Sequence, residues 1–461
     1  MGQKLYCGTG KENITPEREL LVRLPGLMGG HFSGIVHDEI FVRALLFQSG
    51  EQAALLVEFD LDKAPDPAEN LAAIEAEFGL TQDQVLFFAV HAHTAPISSV
   101  RPFEAMNSTE SKTPVEQAAM REYAPFIRER MLKAVREAFA SLQPVRIGWE
   151  TGKSYINVNR CQRFEVEDAD GTLHECCALG ADPEGPVDHT LFVLKAENES
   201  GETVATFVNY AVHCVAAISN DSDGNGGVAV SGDIAGVTAQ MVEAKYGGVC
   251  VWSSGAAGDV NPIFMNQYYY PNPENGAFCE HRIRGAEAAF AELAVLSGRH
   301  FDDIKRVLRR IECTCAEADI RTAGAWSKTP GRRVVKKGKG PDAPADIFVG
   351  EGVEPYPVRL HTVQIGDLAL CGISGELYTT LGWAVQEASP AAHTCIINHD
   401  ACLLTNSGYI LDDATIARCE GNLPGHFIPG AGESSILPGY VKDSLVRLTK
   451  ELLGGGAQAG R

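Results

Sequence analysis

The chain has 461 residues, of which 45% are hydrophobic and 21% are charged, a composition typical of globular proteins. Acidic residues outnumber basic ones by 60 to 39, and the net charge of −21 argues against nucleic acid or an anionic membrane as the main partner. No apolar run approaches the roughly 20 residues of a transmembrane helix, and the N-terminus lacks the apolar core of a signal peptide.

The 13 cysteines are scattered along the chain, and several lie in apolar segments, where a thiol acts as a small hydrophobe. Cys313-Thr-Cys315 and Cys176-Cys177 have neither zinc-ribbon nor CxxC spacing, so no cysteine zinc site is predicted. We expect reduced thiols and a cytoplasmic location. The basic stretch 328–339 is interpreted as a solvated, mobile loop, with an anion-binding lid as the alternative.

Strand and helix signals alternate along the first half of the chain. Apolar runs bounded by turn residues predict strands, and longer amphipathic stretches predict helices. In chain order we predict strand 52–60, helix 66–79, strand 84–91, helix 116–142, strands 145–149 and 189–196 around a hairpin near 168–171, strand 204–213, a polar loop at 219–227, helix 233–245 and strand 249–254. The last strand–helix–strand unit indicates parallel pairing, with helices that cover the sheet.

The second half continues the same alternation. We predict helix 281–297, a β region at 303–316, strand 358–373, helix 376–388, strand 393–399 and a final helix near 433–453. The only candidate linker is 317–357, which we interpret as an insertion loop. No internal repeat is visible. The sequence therefore predicts one large α/β domain over residues 1–461, built as a mixed β-sheet with covering helices.

Histidines follow two of the predicted strands. The segment 85–96 runs from apolar residues into His91-Ala-His93, and the strand at 204–213 ends in His213. Imidazole is the commonest protein metal ligand, and open α/β sheets bind ligands at the carboxyl ends of their strands. On a regular strand His91 and His93 share one face, so one could bind a metal while the other assists the chemistry. The alternative is that they only cap a core strand.

Three further segments carry polar residues after apolar strands. The loop 253–262 is rich in small residues that let a ligand approach the backbone, although Asp259 and Asn261 could simply close a tight turn. Glu376 is predicted to open a helix, where the helix dipole alone would stabilise its carboxylate. Tyr409 follows a glycine turn, and a place in the core is its alternative. Together these segments supply imidazoles, a carboxylate and a phenol. Such groups could serve as the ligands of a catalytic metal site with an open position for water.

Six short motifs follow one another along the chain: His-x-His-Thr at 91–94, Asn-Arg at 159–160, an apolar-His-Cys motif ending at 214, Gly-Ala-Ala-Gly-Asp-Val-Asn-Pro at 255–262, Gly-Glu at 375–376 and Asn-x-Gly-Tyr-Ile at 406–410. In this order they resemble the neutral/alkaline non-lysosomal ceramidase family, in its N-terminal catalytic domain. The similarity runs from about Gly8 to Leu452, nearly the whole chain. It implies the fold of that catalytic domain.

The resemblance also implies a site with one catalytic zinc ion. The residues that match the family's zinc ligands are His91, His213, Glu376 and Tyr409. His93 resembles the family's substrate-facing histidine and Arg160 an active-site arginine, and both could stabilise a developing oxyanion. Zinc would lower the pKa of bound water and polarise an amide carbonyl. A site of imidazoles and oxygens also suits iron, manganese or nickel.

The sequence departs from the family in two respects. Gly255 stands where ceramidases carry a serine, and Ser254 is one residue away and would point elsewhere on a strand. The chain ends at Arg461, soon after the predicted final helix, so we expect no C-terminal immunoglobulin-like domain.

We predict a zinc-dependent hydrolase that cleaves a C–N bond of a small molecule, an N-acyl or other amide, with no nucleic-acid or membrane partner. Two alternatives stay open. One is a metal-dependent esterase or a hydrolase of a polar sugar-derived amide. The other is a non-catalytic binding protein on a degenerate ceramidase-like scaffold. The sequence predicts no particular oligomeric state.

Overall fold

The computed structural model describes residues 3–26, 30–98, 112–167, 170–265, 267–271, 278–282, 285–327, 329–336, 345–350, 352–401, 408–421 and 436–454. Within these ranges the chain forms two stacked β-sheets with helices on both outer faces. The α/β class and the mixed sheet with covering helices, both predicted from the sequence, are confirmed.

The larger sheet has eight strands. In spatial order they are β12 (Val249–Ser254), β10 (Thr203–Tyr210), β9 (Thr190–Asn198), β6 (Gln143–Lys153), β1 (Leu5–Asn13), β3 (Phe41–Ser49), β4 (Gln52–Phe59) and β5 (Val85–Ala89). The pairs β10–β12 and β4–β5 are parallel, and the other pairs are antiparallel. The parallel pairing predicted for the strands on either side of helix 233–245 is therefore confirmed.

The second sheet has four strands, in the order β16 (Ile320–Trp326), β19 (Arg359–Ile365), β20 (Leu368–Ile373) and β22 (His393–Ile397). A three-stranded sheet joins β13 (Val260–Pro262), β7 (Asn157–Glu167) and β8 (Leu173–Asp182). Four strand pairs complete the β structure: β2 (Phe32–Val36) with β11 (Val228–Val230), β14 (Gln267–Pro271) with β15 (Phe278–Arg282), β17 (Arg333–Lys336) with β18 (Ala345–Phe348), and β21 (Glu376–Leu377) with β23 (Tyr409–Ile410).

The helices of the described residues flank these sheets. They are α1 (Arg18–Leu21), α2 (Pro67–Phe78), α3 (Pro114–Ala140), α4 (Asp233–Tyr246), α5 (Ala286–Leu308), α6 (Thr379–Ala388), α7 (Asp413–Gly421) and α8 (Val441–Gly454). In this part of the chain, no helix has the length and apolar character needed to cross a membrane. Of the cysteines that the structure describes with their burial, eight are buried and Cys315 is exposed.

Three apolar cores hold four layers together. The first lies between helices α2–α5 and the large sheet, the second between the two sheets, and the third between the second sheet and helices α6 and α8. Strand β3 contributes its two faces to two different cores. Val42 and Ala44 enter the first core, while Leu45 and Phe47 enter the second. Strands buried on both faces need apolar residues at every position, which explains the continuous apolar runs in the sequence.

Helix α3 lies directly on β1, and two glycines make this approach possible. A Cβ atom at Gly8 would lie 2.0 Å from the backbone oxygen of Ala138, and one at Gly10 would lie 2.0 Å from that of Ala134. Any side chain at either position would collide with the helix backbone. The two glycines therefore set the distance between this helix and the sheet.

Three of the predicted elements in the second half differ from the observed ones. The predicted helix 281–297 begins at Ala286 and ends at Leu308, inside the segment 303–316 that was predicted to be β structure. Buried residues recur at helical spacing up to this point. The predicted strand 358–373 is a hairpin of β19 and β20, since Gly366 adopts a left-handed φ of 58° and reverses the chain.

The predicted insertion loop 317–357 is also more ordered than expected. It supplies β16 to the second sheet and the hairpin strands β17 and β18, so it belongs to the fold. The basic stretch 328–339 accordingly contains a paired strand, although its first and last residues lie outside the described residues. The predicted helix 433–453 begins only at Val441, because Pro438 and Gly439 precede it.

Candidate metal centre

The candidate site lies where strands of both sheets end. His91 and His93 follow β5, His213 follows β10, Glu376 and Tyr409 pair within β21 and β23, and two further residues, Asp62 and His399, follow β4 and β22. The predicted strands 84–91 and 204–213 stop before their histidines, at Ala89 and Tyr210. The imidazoles therefore project from the loops just beyond the strands.

His91 lies at the centre of this cluster. Its backbone has a left-handed φ of 64°, which turns the chain away from the line of β5. The ring atom Nδ1 lies 2.9 Å from the backbone oxygen of Asp62 and 3.0 Å from its carboxylate Oδ1. On the other side of the ring, Nε2 lies 3.4 Å from Oε2 of Glu376. His91 is thus held from behind and faces the glutamate.

His213 approaches the same carboxylate oxygen. Its Nε2 lies 3.2 Å from Oε2 of Glu376, and its Nδ1 lies 3.1 Å from the backbone oxygen of Val260. A backbone oxygen only accepts hydrogen bonds, so Nδ1 of His213, like Nδ1 of His91, carries the proton. In the neutral imidazoles, each Nε2 then presents a lone pair to Glu376.

Three electron-rich atoms consequently face one another in a buried space. This arrangement is unfavourable unless a cation lies between them. Imidazole nitrogens held in one tautomer by backbone oxygens, together with a carboxylate, are the donors of a zinc-type site. The residues present therefore fit a metal ion.

The electrostatics of the metal-free cluster point the same way. Burial alone would lower the pKa of His91, but the carboxylates of Glu376 and Asp62 raise it to about 10. Burial would raise the pKa of Glu376, yet His91 and His213 hold it well below its usual range. Burial and the charge of Arg160 lower the pKa of His213 to about 4. A proton on His91 thus supplies the positive charge that the cluster requires.

His93 lies beside His91 at the more open side of the cluster. The two Nε2 atoms are 3.0 Å apart, and the rings are nearly perpendicular at 87°. The side chain of His93 is 13% exposed against 4% for His91. Its Nδ1 has no hydrogen-bond partner, and burial together with the charge of His91 lowers its pKa well below the usual value.

Arg160 extends from β7 and is almost fully buried. Its Nη2 donates to the backbone oxygen of Gly258 at 2.6 Å, and its Nη1 donates to Oδ1 of Asn261 at 3.4 Å. Its guanidinium lies 5.2 Å from the ring centroid of Tyr409. The loop that follows β12 therefore fixes this cation near the cluster.

Tyr409 connects Arg160 to Glu376. Burial raises the pKa of its hydroxyl, which interacts with both side chains, and its ring is stacked 6.4 Å from that of His213. The structure thus brings all six predicted site residues into one cluster.

The structural setting of Glu376 differs from the predicted one. Glu376 does not open a helix, because it pairs with Tyr409 in the short β21–β23 ladder and α6 begins only at Thr379. The backbone N–H and hydroxyl of Thr379 both donate to Oδ1 of Asp259 at 2.8 Å. The helix dipole therefore does not explain the carboxylate, and Asp259 has the structural role that was its alternative.

Two buried residues of the cluster were not predicted as site residues. Asp62 contacts His91 through its carboxylate, and the acidic end of the predicted strand 52–60 was the available signal. The ring of His399 stacks on that of His91, with 4.0 Å between centroids and 21° between planes. A histidine at the end of an apolar strand was again the signal, the same one that marked His213.

The loop around Gly255 bears on the missing serine. A Cβ atom at Gly255 would lie 3.1 Å from the Cβ and the backbone nitrogen of Ala211, so this position is tight for any side chain. The hydroxyl of Ser254 is buried and donates to the backbone oxygen of Val212 at 3.1 Å. Neither residue therefore offers a hydroxyl to the cluster.

The four-layer fold and the buried histidine–glutamate cluster define an α/β protein with a site suited to a metal ion. No family model matches the sequence, and no curated protein matches it. Among solved structures, the neutral ceramidase from Pseudomonas aeruginosa is similar, with a TM-score of 0.65 and 16% identity over 98% of this chain and 74% of that chain. A ceramidase complexed with C2 gives the same TM-score and identity, over 98% of this chain and 75% of the other. The chain therefore has the neutral ceramidase fold, as the resemblance implied.

Proposed function

We propose that the protein is a metal-dependent hydrolase that cleaves a C–N bond, in an N-acyl or other amide. One observation carries this proposal: the Nε2 atoms of His91 and His213 both face Oε2 of Glu376, because each Nδ1 is bonded to a backbone oxygen. The fold shared with ceramidases supports an amide as the group that is cleaved.

The residues that would hold a zinc ion are His91, His213, Glu376 and Tyr409. Bound zinc would lower the pKa of a water molecule and polarise the substrate carbonyl. Asp62 and the backbone oxygen of Val260 keep both ligand rings in the tautomer that binds a metal through Nε2.

Two residues at the edge of the cluster would act on the substrate. Arg160 is held by Gly258 and Asn261, so its guanidinium is preorganised to stabilise negative charge that develops on the carbonyl oxygen. His93 has a ring nitrogen without a protein partner and lies on the more open side, where it could hydrogen bond to the same oxygen.

The surroundings of Gly255 favour a second candidate, a metal-dependent esterase or a hydrolase of a polar sugar-derived amide. Gly255 and Ser254 leave the cluster without the hydroxyl that ceramidases carry in this loop. A panel of N-acyl substrates with short and long chains, together with matched esters and sugar-derived amides, distinguishes the candidates. Preference for long N-acyl chains would reject the second one.

The central experiment measures metal content and turnover in the same preparations. Protein stripped with a chelator and reloaded with zinc is assayed against the panel, beside Glu376→Gln and the matched control Glu387→Gln, which changes an exposed glutamate of α6. We expect Glu376→Gln to lower turnover by more than about 100-fold and Glu387→Gln to leave it unchanged.

Two outcomes would contradict the proposal. Substoichiometric zinc that His91→Ala does not change would reject the metal assignment. Zinc-loaded protein that turns over no amide or ester would instead support a non-catalytic binding protein.

A further inference from the structure

His399 and His91 are too nearly parallel to bind one ion. A ring nitrogen binds a metal along its lone pair, which lies in the plane of the ring, at about 2.0–2.1 Å for zinc. The two ring planes are 21° apart and the centroids 4.0 Å apart, so an ion in the plane of His91 lies well outside the plane of His399. His399 is therefore not a further ligand of the ion that His91 would hold.

His399 nevertheless has the features of a ligand. It is 2% exposed, and its Nδ1 is buried without a hydrogen-bond partner, which is costly in a folded protein. Its backbone nitrogen donates to the oxygen of Gly375 at 3.1 Å, which fixes the residue beside Glu376. Potential ligand atoms of His91, Glu376 and His399 all lie within 4.8 Å of one another.

We propose that the cluster holds two metal ions, the second bound by His399 and bridged to the first by Glu376. Ions in two-metal hydrolytic sites lie about 3.5–4 Å apart, a distance that one bridging carboxylate can span. The stacked rings of His91 and His399, 4.0 Å apart, match this spacing. The inference rests on the proposed metal site and extends it to a second ion, a divalent cation that accepts nitrogen and oxygen ligands.

The charge of the cluster sets the order in which the ions bind. Among the described residues, Asp62 and Glu376 are the carboxylates beside these rings, and Arg160 adds a positive charge nearby. A second divalent ion is therefore repelled more strongly than the first. We expect the ion held by His91 and His213 to bind first and the one at His399 to bind more weakly.

The test counts ions without relying on activity. Chelator-stripped full-length protein is titrated with Zn²⁺, and the bound metal is measured by elemental analysis and by competition with a coloured chelator. Titration with Mn²⁺, followed by electron paramagnetic resonance, detects magnetic coupling between neighbouring ions.

The variant is His399→Asn, because asparagine tolerates the left-handed φ of 61° at this position better than other side chains. The matched control is His393→Asn, which removes a partly buried ring stacked on Phe192, with centroids 4.7 Å apart, and outside the cluster.

We expect wild type and His393→Asn to bind two ions per chain with coupled Mn²⁺ spectra. His399→Asn should retain one ion, with affinity for a second reduced by at least about tenfold. A single Zn²⁺ per chain in the wild type, or equal stoichiometry in His399→Asn, would overturn the second site. One ion with zinc-dependent turnover would leave the proposed function intact, whereas no bound ion would overturn both.

Discussion

At the scale of single residues, Asp62 shows how the candidate ligands are oriented. Its backbone oxygen and its carboxylate both contact Nδ1 of His91, on the side that faces away from Glu376. A carboxylate behind a ligand histidine fixes the tautomer and makes the other ring nitrogen a better donor to the metal. In the proposed metal site, Asp62 would therefore be a positioning residue that acts through His91.

Removal of the Asp62 charge should weaken metal binding without removing a ligand. We expect Asp62→Asn to lower the affinity for zinc by about 10–100-fold, because such outer partners typically have effects of this size. Competition with a chelator measures the change. Asp302→Asn, which alters an exposed carboxylate on α5, is the control. An unchanged affinity in Asp62→Asn would mean that the Asp62 backbone oxygen alone orients the ring.

His91, His213 and Glu376 each followed a recognisable strand, in an order of motifs that resembles a known family. They were predicted in this way, although their roles as ligands remain predictions. Asp62 and His399 also follow strands, but no motif marked them, and their contacts with His91 depend on how two sheets stack. Sequence spacing does not encode that stacking.

At the scale of elements, the contact of α3 with β1 depends on the absence of side chains at Gly8 and Gly10. We expect Gly8→Ala to destabilise the protein by about 1–3 kcal/mol, because its Cβ would overlap the backbone oxygen of Ala138. Urea unfolding measures the change.

The matched control is Gly298→Ala, inside α5 where a Cβ meets nothing within 4 Å. This change should stabilise the helix by up to about 1 kcal/mol. Equal effects of the two substitutions would contradict the close packing of α3.

The same helix is tied to β1 by an ionic cluster. Burial would raise the pKa of Glu12, but hydrogen bonds from Lys133 and Arg130 outweigh it and lower the pKa below its usual value. A lowered carboxylate pKa contributes stability above the unfolded pKa, about 4.3 for glutamate, and this contribution is lost as the pH falls through the folded pKa.

We therefore expect the wild type to lose more stability than Glu12→Gln when the pH falls from about 5 to about 3. Unfolding in urea at each pH measures the difference. Glu51→Gln, in an exposed turn, should behave like the wild type. Parallel pH profiles for wild type and Glu12→Gln would show that the ionic cluster does not stabilise the fold.

Element boundaries were predicted less well than element types. The strand predicted at 358–373 is apolar throughout, and only the left-handed Gly366 divides it into β19 and β20. The helix predicted from Glu376 begins at Thr379, because Asp259 from a distant loop accepts its first hydrogen bonds. Such tertiary contacts override local pattern, so the type of an element survives while its ends shift.

At the scale of the whole molecule, the candidate site depends on the stacking of the two sheets. His91 and His213 come from the large sheet, whereas Glu376 and His399 follow strands of the second sheet. An ion bound among them would connect layers that are otherwise joined by an apolar core. Metal binding should therefore stabilise the fold as a whole.

We expect the Tm of chelator-stripped protein to rise with added zinc, as the free energy of unfolding gains about 2.7 kcal/mol at 100 times Kd. Differential scanning calorimetry measures this shift. His213→Asn should abolish the shift, while His31→Asn, at an exposed histidine, should keep it. A Tm that does not depend on zinc in the wild type would contradict a metal site between the sheets.

The α/β class could be predicted because both faces of the strands are buried and their sequences are continuously apolar. The division into two stacked sheets could not be predicted, because β16 lies within the segment 317–357, which was predicted to be a loop. Which strands share a sheet depends on long-range pairing that leaves no local pattern.

His91 and His399 have left-handed backbones, with φ of 64° and 61°. This conformation is unfavourable for histidine, whereas the proposed metal site requires an imidazole at both positions. Glycine and asparagine adopt this conformation more readily than histidine does. In a library of all substitutions at these two positions, selection for thermal stability of the metal-free protein should enrich glycine and asparagine. Selection for metal-dependent turnover should retain histidine at position 91. If the proposed activity holds, these two histidines lower folding stability for the sake of the site, and substitutions that remove the activity would accumulate first at these positions.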